Sequence, residues 1–300
     1  MDGLGRRTEQ PDREENAMIV SVFADEINND DPVRALALAR EWGVSHVEIR
    51  SLPEGRFPRI PDGRLGEYGR QITDHGLAVS GVSPGFLKCP WDDATVKGAL
   101  AAGLPRTCEW ALRLGTDRVS EFTFRRADAT VPSEAIDLLG RASEVVAANG
   151  CRLAVENVSG CWGDTGQAAA GIIRRVDAER IGLCWDPGNS ARSGGASPFG
   201  PEYEEVKDLI AQVHLKSFDP GSGQWALLDG GMVDWADRLA ALEADGFDGF
   251  LVIETHLREA ALPEDGSGLS AGERNTRRNL ELLRTWLDAS GGPGAVVDQR

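Results

Sequence analysis

The sequence predicts one α/β fold class, the closed (β/α)8 barrel or TIM barrel. Eight strand-like runs alternate with eight helical segments over about 270 residues, and about 250 residues is typical of this barrel. The strand-like runs are continuously apolar, as expected for parallel strands that are buried on both faces. A doubly wound open sheet is the alternative, but no GxGxxG motif follows the first strand.

Each predicted strand is a short apolar run that ends in polar residues. The first run is MIVSVFA and the last is FLVIE, and both have strand length and a high content of β-branched or aromatic residues. The eight predicted strands span residues 18–24, 45–50, 77–83, 117–124, 151–156, 180–186, 210–216 and 250–254.

The predicted helices carry start and stop signals. Asp31 as N-cap and Pro32 at the first helical position open the first helix, and Gly43 closes it. Ser270 and Glu273 form a capping box at the start of the last helix. The predicted helices span residues 31–43, 65–75, 94–114, 131–149, 167–176, 202–208 and 234–244, and the last one begins at 270.

The composition is that of an ordinary globular protein. The chain has 300 residues, 41% of them hydrophobic and 27% charged, which suffices for one large domain or two small ones. The formal net charge of −16 argues against a nucleic-acid or anionic-membrane partner, because either requires a basic face. This net charge is compatible with a locally positive pocket that binds an anionic small molecule. No apolar window long enough for a membrane span exists.

The ends of the chain are predicted to lie outside the barrel. We expect 1–17 to form a disordered tail, 18–289 the barrel, and 290–300 a flexible C-terminal tail. The first segment lacks the apolar core of a secretory signal, and the sequence leaves open whether Met18 is the native start. The cysteines form no CxxC pattern, and two of them lie inside apolar runs, which predicts reduced, buried thiols and a cytoplasmic location.

The fifth to eighth predicted strands end in Glu156, Asp186, His214 and Glu254, all of the metal-ligand type. Barrel active sites collect at the C-terminal ends of the strands, and neighbouring strands lie about 4.8 Å apart. Three carboxylates and an imidazole suit one divalent ion, with Mn²⁺ favoured over Mg²⁺ or Co²⁺. Taken singly, each carboxylate could be an N-cap or a rim salt-bridge partner, and the histidine a core residue. Their register at four consecutive strands favours a metal site.

Neighbours of these ligands are candidates for binding a substrate. Side chains two residues apart on a strand share a face, so Lys216 and His256 point inward if the ligands two positions before them do. Both would then lie above the ion, near a substrate oxygen. Asn157 and Asn189 follow ligands closely in the sequence and are candidates for amide contacts to substrate hydroxyls.

The segments VEN, WDPGN, VHLKS and VIETH resemble the sugar phosphate isomerase/epimerase superfamily, whose members have a xylose isomerase-like TIM barrel. FADEI at 23–27 and VEIR at 47–50 resemble it as well, and the resemblance covers roughly 18–289. It implies that the four strand-end residues bind one divalent ion. It also implies that Glu156 and Glu254 form a proton-transfer pair, as the two glutamates do in the ketose epimerases.

The sequence departs from the family pattern at two positions. Ketose epimerases often have a histidine three residues after the aspartate, where this chain has Asn189. Many members have an aspartate after the lysine of the HxK motif, where it has Ser217. The motifs therefore identify the metal site better than the substrate. The DNA-repair endonuclease branch of the fold needs a histidine-rich trinuclear zinc site, and the chain has only 4 histidines.

The resemblance implies a metal-dependent isomerase or epimerase that moves a proton α to a carbonyl of a carbohydrate, through an enediolate. Lys216 and His256 would stabilise the oxyanion, and Glu48 and Arg50 would orient substrate hydroxyls unless they form a rim ion pair. Two alternatives stay open. One is a lyase, either a keto-inositol dehydratase or a C-glycoside-cleaving subunit, and the other is a sugar-binding or partner-dependent subunit without independent turnover. Family members are commonly dimers or tetramers, so a homo-oligomer is also open.

Overall fold

A computed structural model of the chain describes residues 18–176, 178–194, 199–259 and 261–290. The predicted N-terminal tail, 1–17, and positions 291–300 of the predicted C-terminal tail lie outside the described residues. Of the described helices, none is long and apolar enough to cross a membrane. The cysteines are all free thiols, and all but Cys89 are buried.

Eight parallel strands form a closed barrel, which confirms the predicted fold. Each strand pairs with its neighbours in the sequence, and the eighth pairs with the first. Every observed strand lies inside its predicted run. The strands are β1 (Ile19–Phe23), β2 (His46–Ile49), β3 (Ala78–Val82), β4 (Arg118–Glu121), β5 (Arg152–Glu156), β6 (Ile181–Trp185), β7 (Ile210–Leu215) and β8 (Phe250–Ile253).

Helices connect the strands, and their apolar faces are buried. Leu36, Leu104, Leu139 and Leu283, each from a different helix, are at most 1% exposed. Burying each leucine contributes about 1.5–3 kcal/mol to stability. The helices are Ala24–Asn28, Pro32–Glu41, Asp62–Asp74, Ala94–Gly98, Leu104–Arg113, Ser133–Ala148, Gly166–Ile173, Pro187–Arg192, Phe199–Val206, Trp235–Ala244 and Ala271–Ser290, with a π-helical segment at Ala99–Gly103 and a 3-10 turn at Lys207–Leu209.

The single helix predicted over 94–114 is interrupted by the π-helical segment Ala99–Gly103. At its end the Leu104 amide donates a hydrogen bond to the Ala99 carbonyl, five residues back. Pro105 follows directly, lacks an N–H, and its ring crowds the preceding turn. A wider turn relieves that crowding, so the departure from the prediction has a local cause.

The barrel interior is more polar than the continuous apolar runs predict. The hydroxyls of Ser21 and Ser80 lie 2.7 Å apart, and both side chains are fully buried. Glu48 accepts hydrogen bonds from Gln212 Nε2 at 2.5 Å and from Ser120 Oγ at 3.5 Å. These partners offset the cost of burying polar groups, so the centre of the barrel is held by hydrogen bonds as well as by packing.

The predicted capping box fixes the last helix to the first helical region. The Ser270 amide donates to Glu273 Oε2 at 2.8 Å, and the Glu273 amide donates to Ser270 Oγ at 3.3 Å. Arg34 Nε and Asn28 Nδ2 both donate to Glu273 Oε1, at 2.6 and 3.0 Å. Burial opposes ionisation of Glu273, but the hydrogen bonds from Arg34 and Asn28 outweigh it and lower its pKa to about 2.

We expect Glu273→Gln to lower the free energy of unfolding at pH 7 by about 1–3 kcal/mol, because the amide loses the charge-assisted bonds. The pKa of Glu273 in the folded state lies below its ordinary value of 4.5, so the stabilisation is present above about pH 4.5 and is lost as the pH falls toward 2. Urea unfolding of both proteins at pH 7 and near pH 3 measures the difference.

Glu281→Gln is the matched control, because Glu281 lies on the same helix and is exposed. It should change the free energy of unfolding by less than about 0.5 kcal/mol. A Glu273→Gln effect of equal size at both pH values would contradict the assignment to the charge.

Candidate metal centre and active site

The ends of β5 to β8 bring four potential ligands together at the mouth of the barrel. One ligand atom from each of Glu156, Asp186, His214 and Glu254 lies within 4.8 Å of the others. Asp186 and His214 are fully buried, whereas Glu156 and Glu254 are 5% exposed and line the cavity above. The four residues predicted at the strand ends therefore form one cluster. Glu156 and Glu254 are accessible from the cavity, and Asp186 and His214 are not.

The imidazole of His214 faces two of these carboxylates. Its Nδ1 lies 3.6 Å from Glu156 Oε2 and 3.5 Å from Glu254 Oε2. Among the described residues, this buried nitrogen has no hydrogen-bond partner. A ring nitrogen between carboxylate oxygens is a donor set that suits a divalent ion such as Mn²⁺, Mg²⁺ or Co²⁺. The residues present thus fit one such ion.

Glu48 lies behind His214 and does not face the cavity. Its Oε1 is 3.6 Å from His214 Nε2, and Gln212 Nε2 lies 3.0 Å from the same ring nitrogen. The predicted substrate contact does not fit Glu48, because the side chain is fully buried and outside the cavity lining. A carboxylate behind a ligand histidine fixes the orientation of its ring. We therefore assign Glu48 a positioning role.

Lys216 lies deeper than the sequence predicts. Its Nζ is 2.7 Å from Asp186 Oδ2, 2.6 Å from Glu254 Oε2 and 3.7 Å from Glu156 Oε1. The ammonium thus lies among the ligand carboxylates while also lining the cavity. It compensates negative charge that would otherwise be costly to bury.

The charges of the cluster divide the three carboxylates into two kinds. Burial opposes ionisation of Glu156, but the charge of His214 outweighs it and lowers the pKa of Glu156 to about 2. Burial acts in the same direction on Glu254, where Lys216 and other cations hold the pKa well below its usual range. At Asp186 burial dominates and raises the pKa to about 7, despite Lys216. The two glutamates that line the cavity are therefore ionised at neutral pH.

Asp186 is also the N-cap of the short helix Pro187–Arg192, which lies between the predicted sixth strand and the next predicted helix. Its Oδ1 accepts from the Asn189 amide and its Oδ2 from Asn189 Nδ2, each at 2.8 Å. Asn189 Nδ2 also donates to Glu156 Oε1 at 3.0 Å, so it ties two ligands together while lining the cavity. Asn157 is fully buried and exchanges two hydrogen bonds with the Asp186 backbone, which does not fit the predicted substrate contact.

Arg50 lies on the other side of the cluster, where it contacts three carboxylates. Its Nη1 donates to Glu254 Oε1 at 2.6 Å, its Nε to Asp25 Oδ2 at 2.9 Å, and its Nη2 to Glu26. The His256 amide donates to Glu26 Oε2 at 3.0 Å. No role was predicted for Asp25 and Glu26, although these two acids lie just beyond the end of β1, the same kind of position as that of the four ligands.

His256 lines the cavity in a strained backbone conformation. Its φ is 52°, in the left-handed region that side chains seldom adopt. Its Nδ1 lies 3.1 Å from Glu26 and 3.4 Å from Glu254, which makes a second group of potential ligands. Arg50 already contacts both carboxylates, so a cation of the protein compensates this group.

A cavity of about 640 Å³ opens above the cluster, a size that suits a small ligand. The acidic cluster lies at its base, and Trp225, from the hairpin Ser217–Asp219 with Gln224–Ala226, lies at its side. Several of its lining residues were not predicted, because they lie beyond the observed ends of the barrel strands, where strand periodicity does not fix the direction of a side chain. They include Arg56, Lys88, Phe122, Arg192 and Arg258.

A family model described as xylose isomerase-like TIM barrel matches residues 36–286. The chain belongs to this family. No curated protein sequence matches the chain.

Solved structures share the xylose isomerase-like barrel along nearly the whole chain. An L-ribulose 3-epimerase superposes with a TM-score of 0.71 at 18% identity, over 94% of this chain and 99% of that one. A xylose isomerase-like TIM barrel protein from Mycobacterium smegmatis, in complex with magnesium, gives 0.65 at 20%, over 91% and 98%. The probable 3-DHS dehydratase AsbF from Bacillus anthracis gives 0.70 at 14%, over 89% and 98%. At these identities the likeness shows the fold.

We expect this xylose isomerase-like barrel to bind one Mn²⁺ per chain, and His214→Ala to weaken the affinity at least about tenfold, because a ligand nitrogen is lost. Equilibrium dialysis against Mn²⁺ followed by elemental analysis measures the bound ion. His75→Ala is the control, since this histidine lies at the end of helix Asp62–Asp74. Equal Mn²⁺ content in wild type and His214→Ala would remove His214 from the ligand set.

Proposed function

We propose that the protein is a divalent-metal-dependent isomerase or epimerase that moves a proton α to a carbonyl of a carbohydrate. The observation that carries this proposal is the division of the cluster. Of its four members, Asp186 and His214 are fully buried, whereas Glu156 and Glu254 line the cavity and can contact a substrate. Two accessible carboxylates at one small-molecule site can act as the general base and the general acid of a proton-transfer reaction.

Four residues would hold the ion: Glu156, Asp186, His214 and Glu254. Mn²⁺ is the expected occupant, with Mg²⁺ and Co²⁺ as alternatives. When bound, such an ion supplies Lewis-acid polarisation of a carbonyl oxygen, which makes the neighbouring C–H more acidic. The magnesium complex of the Mycobacterium smegmatis barrel supports a divalent ion in a protein of this fold.

The two glutamates act as the base and the acid of the reaction. Glu156 is the last residue of β5 and Glu254 directly follows β8, the outer strands of the four that carry the ligands, so they reach a substrate from different sides. One carboxylate removes the C–H proton, and the enediolate forms. The other returns a proton to the opposite face of the same carbon in an epimerase, or to the next carbon in an isomerase. Both groups have lowered pKa values and are ionised at neutral pH, so either can be the base, and the one that acts as the acid first takes up a proton from water.

Hydrogen-bond donors of the cavity stabilise the negative charge that develops on the substrate oxygen. Lys216 and His256 both line the cavity, and each lies within 3.4 Å of a Glu254 oxygen. Arg50 holds the other side of that carboxylate. Donors that are fixed before the reaction stabilise an oxyanion without reorganisation. These side chains therefore complete the proposed mechanism.

A lyase is the second candidate, and the fold likeness to the probable dehydratase favours it over other classes. Its reaction begins with the same enediolate and then expels a β-substituent. Proton NMR in D₂O, with a panel of ketoses, keto-inositols and sugar phosphates and with added Mn²⁺, separates the candidates. We expect deuterium uptake with retention of all oxygen atoms. Loss of water or of an aglycone would indicate the lyase, and binding without deuterium uptake would leave a sugar-binding subunit.

We expect Glu156→Gln and Glu254→Gln each to lower the deuterium-uptake rate at least about 10²-fold, because an amide can neither accept nor return the proton. Glu67→Gln is the control, since Glu67 is exposed on helix Asp62–Asp74. Circular dichroism checks that each variant is folded. Uptake at the wild-type rate in either site variant would remove that glutamate from the acid–base pair.

A further inference from the structure

We infer that the cavity contains an anion-binding wall, formed by Arg56, Ser83 and Lys88, and that the substrate carries an oxyanion group, a phosphate or a carboxylate, that binds there. The inference rests on the proposed function, because it identifies the substrate class of the same site. It concerns the end of the substrate that is remote from the reacting carbon.

The cavity concentrates unpaired cations in a strongly acidic protein. Its lining includes Arg56, Lys88, Arg192 and Arg258, and among the described residues none of the four forms an ion pair with a carboxylate. The net charge of the chain is −16, so the unpaired cations give this cavity a local positive charge in a protein that is negative as a whole.

The cavity cations divide into two kinds by their partners. Arg50 and Lys216 are each surrounded by carboxylates of the acidic cluster, so their charge is compensated within the protein. Arg56 and Lys88 lack such partners among the described residues, and they come from the loops after β2 and β3. The acidic cluster can therefore hold a metal ion and the reacting end of a sugar, whereas Arg56 and Lys88 are available to bind another group of the ligand.

Arg56 is the best-defined member of the wall, because neutral acceptors fix its guanidinium. Nε donates to the Pro84 carbonyl at 3.0 Å and Nη2 to Ser83 Oγ at 3.1 Å. Nη1 has no hydrogen-bond partner among the described residues. Gly85, with a φ of 66°, lies so close that a Cβ there would be 2.8 Å from Nη2. The loop after β3 thus packs against the guanidinium and holds it in place.

Burial and the charge of nearby Arg50 lower the pKa of Arg56 and outweigh the opposing charges of Glu121 and Glu156. A guanidinium nevertheless stays charged in proteins. Lys88 Nζ lies 4.8 Å from the ring centroid of Phe122, which also lines the cavity, so an aromatic face supports the second cation. A phosphate or a carboxylate provides the acceptors that these donors lack.

Binding of three matched probes to the Mg²⁺-loaded protein tests the wall: D-fructose, D-fructose 6-phosphate and D-fructuronate. They share one ketose skeleton and differ only in the group on the carbon remote from the ketone. Isothermal titration at constant ionic strength gives each dissociation constant. We expect at least one charged probe to bind at least about tenfold more tightly than D-fructose. The ratio of the two charged probes distinguishes a phosphate from a carboxylate.

Variants assign the preference to the wall. Arg56→Gln and Lys88→Gln should each reduce the preference at least about fivefold, whereas Arg56→Lys should keep part of it because the charge remains. Arg175→Gln removes the same charge from the exposed surface and should leave the preference unchanged. Thermal unfolding monitors the fold of each variant. Equal binding of the three probes, or a preference that persists in Arg56→Gln and Lys88→Gln, would overturn the inference.

The failure of this inference differs from failure of the proposed function. Deuterium uptake from a neutral ketose together with equal binding of the probes would overturn the anion-binding wall alone. A charge preference that Arg56→Gln removes, in a protein that exchanges no substrate proton, would support the wall and contradict the isomerase.

Discussion

The burial of three carboxylates in one small volume is the constraint on which the rest of this site depends. Glu156, Asp186 and Glu254 lie at the ends of β5, β6 and β8 in the mouth of the barrel, where burial is costly for a charge and like charges repel. Lys216 compensates them from within, at 2.6–3.7 Å from all three. His214 adds a ligand nitrogen that has no described hydrogen-bond partner. A divalent ion is the group that would complete this balance.

The surrounding structure keeps that arrangement rigid. Asn189 ties two of the ligands together from helix Pro187–Arg192, and this helix lies against the end of β7. Gly188 permits the approach, because a Cβ there would lie 2.7 Å from the Lys216 carbonyl oxygen. On the far side, Arg50 is held by two acids that follow β1 and reaches Glu254. The WDPGN and FADEI segments thus serve packing and charge balance as much as ligation.

The sequence predicts those parts of the structure that follow from periodicity and strand order. Eight apolar runs separated by helical segments specify the barrel, and strand register places four ligands at one end of it. Contacts that depend on side-chain direction are harder to predict from the sequence. Glu48 shares its strand with a cavity residue but points beneath His214, and Asn157 turns to the backbone of Asp186. Arg56 lies in the short hairpin Ser51–Leu52 with Gly55–Arg56 beyond β2, outside the barrel strands whose order and register the sequence predicts.

The central claim is that four strand ends enclose one divalent ion, and anomalous diffraction from crystals grown with Mn²⁺ tests it most directly. The account predicts one strong manganese peak at the barrel mouth, within about 2–2.4 Å of an atom from each of Glu156, Asp186, His214 and Glu254. It also predicts that the Lys216 ammonium moves away from its present carboxylate contacts to admit the ion. A peak at other side chains, or crystals without a manganese peak and with Lys216 still among the carboxylates, would contradict the account.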